Sequence, residues 1–213
     1  MKFHQSRYIG AMNRRRFLLF PLVLGALAVP AQAGVIPIQR LSAYLNSLTT
    51  VKSKFTQINP DGTISTGTLY IRRPGRMRFE YDPPEKALVM AGGGTVAIFD
   101  FKSNEPPQQF PLKKTPLSVI LAKKIDLGRA NMITAHFGDD TTTTVTAQDP
   151  EHPDIGHIDL VFTANPTELR QWVITDESSS QTTVILGETK TGMKLKEDLF
   201  SIQSELQKLA PDR

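Results

Sequence analysis

The strongest constraint on this chain is its rhythm. From Ser53 onward, apolar residues recur at every second position in short runs, and turn residues end each run. Residues 53–59, 63–72, 76–81, 87–91 and 95–100 predict five successive strands. Asn59-Pro60-Asp61-Gly62, Pro74-Gly75, Pro83-Pro84 and Gly92-Gly93-Gly94 separate them. Connections this short force antiparallel neighbours. Residues 106–111 break the pattern, and strands resume at 131–137, 141–148, 157–163, 169–175 and 182–186. Two stretches keep helical spacing instead: 36–48, through Ile38, Leu41, Leu45 and Leu48, and 116–123, through Leu117, Ile120 and Leu121. The tail, 196–209, reads as short, mixed and partly helical. The expectation is a mostly β, α+β chain of about 10–11 strands in one curved antiparallel sheet or barrel. No linker, repeat or low-complexity tract divides residues 34–213, which form one predicted domain.

Residues 1–33 stand apart. Lys2, Arg7, Arg14, Arg15 and Arg16 precede an apolar run, 17–29, that is too short to span a bilayer comfortably. Ala31-Gln32-Ala33 then offers the small-x-small pattern of a signal peptidase site. A signal peptide cleaved after Ala33 is expected. Asn13-Arg14-Arg15-Arg16-Phe17-Leu18 fits a twin-arginine signal as well as an ordinary secretory one, and Met12 is a second candidate start.

Of the 25 basic and 21 acidic residues, five basic and no acidic ones fall in 1–33, so residues 34–213 hold 20 against 21. The basic balance of the whole chain therefore belongs to the targeting segment and gives no reason to expect nucleic acid. There is no cysteine. Stability must come from an ordinary core, and no cysteine near the cleavage point is available for lipid attachment. A soluble monomer in the periplasm is the expectation.

Signatures of catalysis are missing from the sequence. No serine sits in a Gly-x-Ser-x-Gly elbow, no His-Glu-x-x-His occurs, and no phosphate-binding glycine loop follows a strand. His152, Asp154 and His157 fall in or beside a turn, His136 reads as a strand residue, and Asp139-Asp140 follows Gly138 in a tight turn. Thr141 to Thr144 fit a strand with a wet face. No catalytic residue, metal or cofactor is expected.

The positive signal lies in Arg76-Met77-Arg78-Phe79-Glu80-Tyr81, where large apolar and charged residues alternate. One face of this strand is wet and the other meets apolar material. Leu69 and Ile71 extend the apolar face; Leu88 and Met90, Ile98, Ile158, Leu160 and Phe162, and Trp172 and Ile174 supply more. Alternation alone does not separate a filled barrel from one enclosing a cavity.

Phe55-Thr56-Gln57, Gly67-Thr68-Leu69-Tyr70-Ile71-Arg72-Arg73-Pro74 and Met77-Arg78-Phe79-Glu80-Tyr81 together resemble the periplasmic outer-membrane lipoprotein carrier proteins (LolA-like). Residues 96–100, Gln109-Phe110-Pro111-Leu112 and Thr115-Pro116-Leu117 continue the resemblance in order, which spans about 36–200. Met77, where a bulkier ring is usual, and the polar end of the tail depart from the pattern.

The resemblance implies an incomplete antiparallel β-barrel with a helical lid over an apolar cavity. Leu69, Ile71, Met77, Phe79, Tyr81, Met90, Ile98, Phe162 and Trp172 are then the expected lipid-binding cavity. Arg73, Leu41, Leu45, Leu117, Ile120 and Leu121 are the expected lid control. The implied function is that of a periplasmic carrier. It binds the acyl chains of lipoproteins released from the inner membrane by an ABC-type lipoprotein-releasing complex. Delivery is to an outer-membrane acceptor lipoprotein or to the outer membrane itself. The competing readings are a carrier or sensor for another lipid or glycolipid, a solidly filled structural module and, more remotely, a periplasmic hydrolase.

Overall fold

The computed structural model describes residues 34–103 and 105–209. The expected signal segment, 1–33, lies outside them. Among the described residues no helix is long and apolar enough to cross a membrane.

The described residues open with α1 (Ile38–Ser47) and then run through β1 (Thr50–Ile58), β2 (Ile64–Arg72), β3 (Arg76–Tyr81), β4 (Ala87–Gly92), β5 (Thr95–Asp100) and β6 (Gln108–Pro111). A 3-10 turn, Leu112–Lys114, leads into the short α2 (Leu117–Leu121). The second series is β7 (Ile133–Gly138), β8 (Thr142–Ala147), β9 (His157–Thr163), β10 (Glu168–Thr175) and β11 (Gln181–Thr191). A 3-10 turn at Glu197–Phe200 and α3 (Ile202–Leu209) complete it. Among the described residues, eleven strands form one antiparallel sheet, ordered β6-β5-β4-β3-β2-β1-β11-β10-β9-β8-β7.

Two meanders are joined edge to edge where β11 returns to pair with β1. The free edges are β6 and β7, which are consecutive in sequence, so the barrel stays open. Residues 112–132, including α2, connect those two edges. Irregular registers at Ser53/Phe55, Ile133/Ala135 and Leu169/Gln171 mark bulges of the kind that add twist and curl a sheet.

Three expectations need correction. The 106–111 stretch does not simply break the pattern. Gln108–Pro111 pairs with β5 as an edge strand, where prolines are tolerated because no neighbour needs their N–H. The predicted helix at 116–123 is helical only over Leu117–Leu121, with extended geometry at Ala122. The even-numbered face of β3 is not wet throughout: Arg78 is nearly buried beneath α3 and the turn before it.

The register sorts side chains onto two faces. On the inner face lie Ile71 and Leu69, opposite Met77 and Phe79, with Ala91 and Val89 beyond them. The other half contributes Val184, Trp172, Leu160 and Val145 in successive register. These form the main core together with Leu41 and Leu45 of α1 and Leu117, Ile120 and Leu121 of α2. A second, smaller core on the outer face joins Leu88, Met90, Ala97 and Phe99 to Ile202 and Leu206 of α3.

Candidate functional site

The inner face is an apolar trough centred on aromatic rings. Phe55 meets Phe79 edge-on at 5.0 Å between centroids and Tyr81 at 5.3 Å, and Phe79 meets Trp172 edge-on at 6.3 Å. Gly67 makes room for this cluster. A Cβ there would lie 2.1 Å from the Glu80 carbonyl oxygen and 2.7 Å from the Phe55 ring. At the trough's edge Tyr81 donates its hydroxyl to Gln57 Oε1 at 2.8 Å, and burial pushes its pKa up to about 12, the hydrogen bond to Gln57 offsetting only part of that. The Trp172 indole is fully buried, and its N–H has no hydrogen-bond partner among the described residues.

Leu69, Ile71, Met77, Phe79, Phe162 and Trp172 are brought together on this face, all buried in one cluster. Tyr81 is half-buried beside them. Ile98 shares the face through its register with Val89 but lies at the open end, 37% exposed. Met90 does not belong. It pairs with Arg78 and Ala97 on the outer face, where its sulfur lies 3.5 Å from the Arg78 guanidinium, so it faces away from the trough. In β4 both faces are apolar, Leu88 and Met90 on one and Val89 and Ala91 on the other, which removes the parity signal.

The trough is occupied, and its occupants come from the helices. Leu41, Leu45, Leu117, Ile120 and Leu121 are buried in the cluster that holds the sheet residues. Burying one such side chain contributes roughly 1.5–3 kcal/mol, so the five together hold the helices down by about 7–15 kcal/mol before entropy is charged.

Arg73 fastens this cover. It stands just beyond β2, and its guanidinium reaches the C-terminal ends of both helices. Nη1 donates to the Leu45 carbonyl at 2.5 Å, Nη2 to Asn46 Oδ1 at 3.1 Å, and Nε and Nη2 to the Ala122 carbonyl at 3.2 and 2.8 Å. Carbonyls at a helix C-terminus lack partners within the helix, and a guanidinium fork can serve several at once. Every acceptor is neutral. Partial burial lowers the guanidinium's pKa, and no carboxylate among the described residues pairs with it.

Four further tethers are not visible in the sequence. Asn46 donates to the Ile125 and Ser42 carbonyls and accepts from the Ile125 N–H, stitching α1 to the segment after α2. Ser42 Oγ accepts the Leu127 N–H at 3.0 Å. The Tyr44 hydroxyl accepts the N–H of Leu169, at the point where the β10 bulge interrupts the ladder, and its ring meets Phe162 edge-on. A polar residue on one side of an amphipathic helix signals only solvent exposure until its partner strand is known. Thr143 is the last of the set: it is fully buried and accepts the Ile36 N–H, unlike the threonines on either side of it.

His152 and Asp154 are exposed in the 3-10 turn region before β9, and His136 faces the Ile36 carbonyl at 2.9 Å. Among the described residues no group of three or more His, Cys, Asp or Glu side chains is placed to hold a metal.

The sequence model of the family described as outer membrane lipoprotein carrier protein LolA matches residues 46–203. Similar curated proteins include the outer-membrane lipoprotein carrier protein of Azotobacter vinelandii, 36% identical over 94 residues, covering 42% of this chain and 45% of that one. Another is the carrier protein of the same description from Coxiella burnetii, 33% identical over 112 residues, covering 49% and 53%. The chain thus spans about half the length of the curated relatives it matches. Among solved structures, a LolA superfamily protein from Nitrosomonas europaea aligns over 79% of this chain and 99% of its own, with a TM-score of 0.39 and 9% identity.

Proposed function

The chain belongs to the outer membrane lipoprotein carrier protein LolA family, and from that premise we propose that it is a periplasmic carrier for the acyl chains of lipoproteins. The single observation that carries this reading is Arg73, whose fork closes two helices over an apolar trough through neutral acceptors alone.

Cargo entry is an exchange. When α1 and α2 lift, their five apolar side chains leave the trough and acyl methylenes take their place. Each methylene recovers about 0.8 kcal/mol, so roughly 9–18 of them, one acyl chain, offset the displaced side chains. The Trp172 indole N–H, unpartnered in the closed form, is a donor for an acyl carbonyl. The carbonyls that Arg73 releases pass to water at little net cost, because an exchanged hydrogen bond is worth only about 1 kcal/mol. The helices therefore act as a latched lid.

The energetics also bear on the partners of the proposed carrier. Three chains of roughly fifteen carbons need about 35 kcal/mol to leave a bilayer, whereas non-covalent binding saturates near roughly 18–21 kcal/mol. Loading accordingly requires an energy-consuming complex of the ABC type in the inner membrane. Release to an outer-membrane acceptor, or to that membrane itself, runs downhill. The reading assigns no catalytic step to any residue.

Native mass spectrometry of the protein from periplasm, together with uptake of a fluorescent acyl probe, tests the proposal. Co-purified acylated cargo and saturable uptake are expected. A bare polypeptide mass with no uptake, even when Arg73 is replaced by Leu, would leave a filled barrel instead. Co-purified glycolipid without acylated protein would keep the carrier and change its cargo.

A further inference from the structure

Charge is divided unevenly over residues 34–213. The segment bridging the open seam, 112–129, holds Lys113, Lys114, Lys123, Lys124 and Arg129 against the single acid Asp126, and 34–49 holds Arg40 and no acid. These covering segments thus carry five net positive charges, whereas the remainder of 34–213 has 14 basic and 20 acidic residues.

All four lysines are exposed, and none takes part in an ion pair among the described residues. Elsewhere Lys54, Arg72, Arg76 and Lys102 are each paired, while Lys52, Lys86 and Lys190 join the four in having no ion pair among the described residues, and Arg129 pairs with Glu151. Lys113 and Lys114 are adjacent in the chain, as are Lys123 and Lys124, and one lysine of each pair borders a groove beside α2. Lys113 borders a groove of about 300 Å³ with Leu121 and Ala122, and Lys124 and Arg129 border a second, of about 230 Å³, that also includes Ala122.

We infer that the outer surface of the lid docks the carrier on an anionic lipid bilayer, with the four lysine ammonium groups against lipid phosphates. Lysine favours this occupant over a protein. It is depleted in protein interfaces, where arginine and aromatic anchors prevail, whereas compact ammonium charges suit a diffuse anionic plane. Docking lid-side down would set the seam between β6 and β7 at the bilayer, so that an acyl chain crosses without passing through bulk water. The inference rests on the carrier reading for that purpose, but the docking itself is measured without cargo.

The test is flotation of the cargo-free protein, purified as the cell processes it. One set of vesicles is phosphatidylcholine alone, and the other is phosphatidylcholine mixed equally with phosphatidylglycerol. Binding to the mixed vesicles alone is expected, and it should vanish at high salt as the surface field is screened. Each lysine changed to glutamine should weaken binding about fivefold, and all four together more than a hundredfold. Changing Lys52 and Lys190, on the outer wall, should leave it unaltered.

A urea-unfolding midpoint equal to the parent's shows that the four-lysine variant is folded. Acyl-probe uptake by the parent, without vesicles, separates the two ideas: docking with no uptake sinks the carrier and keeps the membrane surface. Three results would overturn the inference: equal binding to neutral vesicles, a four-lysine variant that floats like the parent, or no vesicle binding while an acidic protein crosslinks to these lysines.

Discussion

Both faces of the β3–β5 region are covered by helix, and the two covers are fastened by neighbouring arginines in chemically opposite ways. Inside, Arg73 holds α1 and the end of α2 by neutral oxygens. Outside, Arg78 holds α3 by a nearly buried ion pair: Nη1 lies 3.0 Å from Glu205 Oε1 and 3.2 Å from the Leu199 carbonyl, and Nε lies 2.6 Å from Glu80. Neutral acceptors can exchange a guanidinium for water when a helix lifts. A buried carboxylate stripped of its arginine keeps its charge and pays the desolvation cost. On the proposed carrier reading, the cover that opens is therefore the larger apolar one, fastened by neutral oxygens, and the smaller one stays shut on its ion pair.

Packing gives the largest expected contrast. Leu41 is fully buried in the inner cluster, and replacing it with alanine should cost about 3 kcal/mol in urea unfolding. Leu206 of α3 is only half-buried, so Leu206→Ala should cost about 1 kcal/mol. Equal costs would break the distinction between a large and a small cover. Next in size is Arg78→Met, which leaves Glu205 with Lys208 as its one ion-pair partner among the described residues and should cost about 2 kcal/mol, below the roughly 3–5 kcal/mol of a fully buried broken pair because the site is not wholly dry. Adding Glu205→Leu should restore more than half of that loss. Acyl-probe uptake should not change in either variant.

How legible these covers were in the sequence differs in the same way. The inner one could be read because α1 keeps Leu41 and Leu45 at helical spacing, β3 alternates cleanly, and the Arg73-Pro74 block stands in a recognisable order. The outer one could not. A basic residue on an alternating strand predicts water, and nothing local to Arg78 reports that α3, more than a hundred residues later, brings a carboxylate to it. The same applies to Met90, whose strand is apolar on both faces, and to Asn46 and Thr143, whose partners are distant in sequence. β6 escapes the sequence pattern because proline there signals a break, whereas an edge strand tolerates it. Local pattern specifies elements, whereas pairings across the chain decide which polar residues become tethers.

Arg73→Leu removes the inner fastener alone. The cost in urea should be about 1 kcal/mol, less than for Arg78→Met, because the Leu45, Asn46 and Ala122 oxygens can turn to water. Its effect should appear in kinetics: acyl-probe association several times faster than in the parent, with Arg73→Lys intermediate because one ammonium cannot serve three acceptors in a fork. A stability loss larger than that of Arg78→Met, with unchanged uptake, would make Arg73 a structural residue and reverse the roles of the two covers.

The smallest expected effect distinguishes the fasteners by pH. Burial pushes the Glu205 carboxyl up, but hydrogen bonds from Lys208 and Arg78 and the charge of both outweigh it and hold the carboxyl below its ordinary value of 4.5. A group with a depressed folded-state pKa stabilises fully above its unfolded pKa, and that contribution is lost as pH falls through the folded value. Between about pH 5 and 3, the parent should therefore lose more stability than Glu205→Gln, by less than about 1 kcal/mol, with other carboxylates common to both proteins. The inner cover should show no such step, because none of the oxygens that accept from Arg73 takes up a proton in that range. Parallel pH profiles for the parent and Glu205→Gln, or acyl-probe uptake that changes with the outer fastener's titration, would show that the two covers are coupled through the sheet rather than held independently.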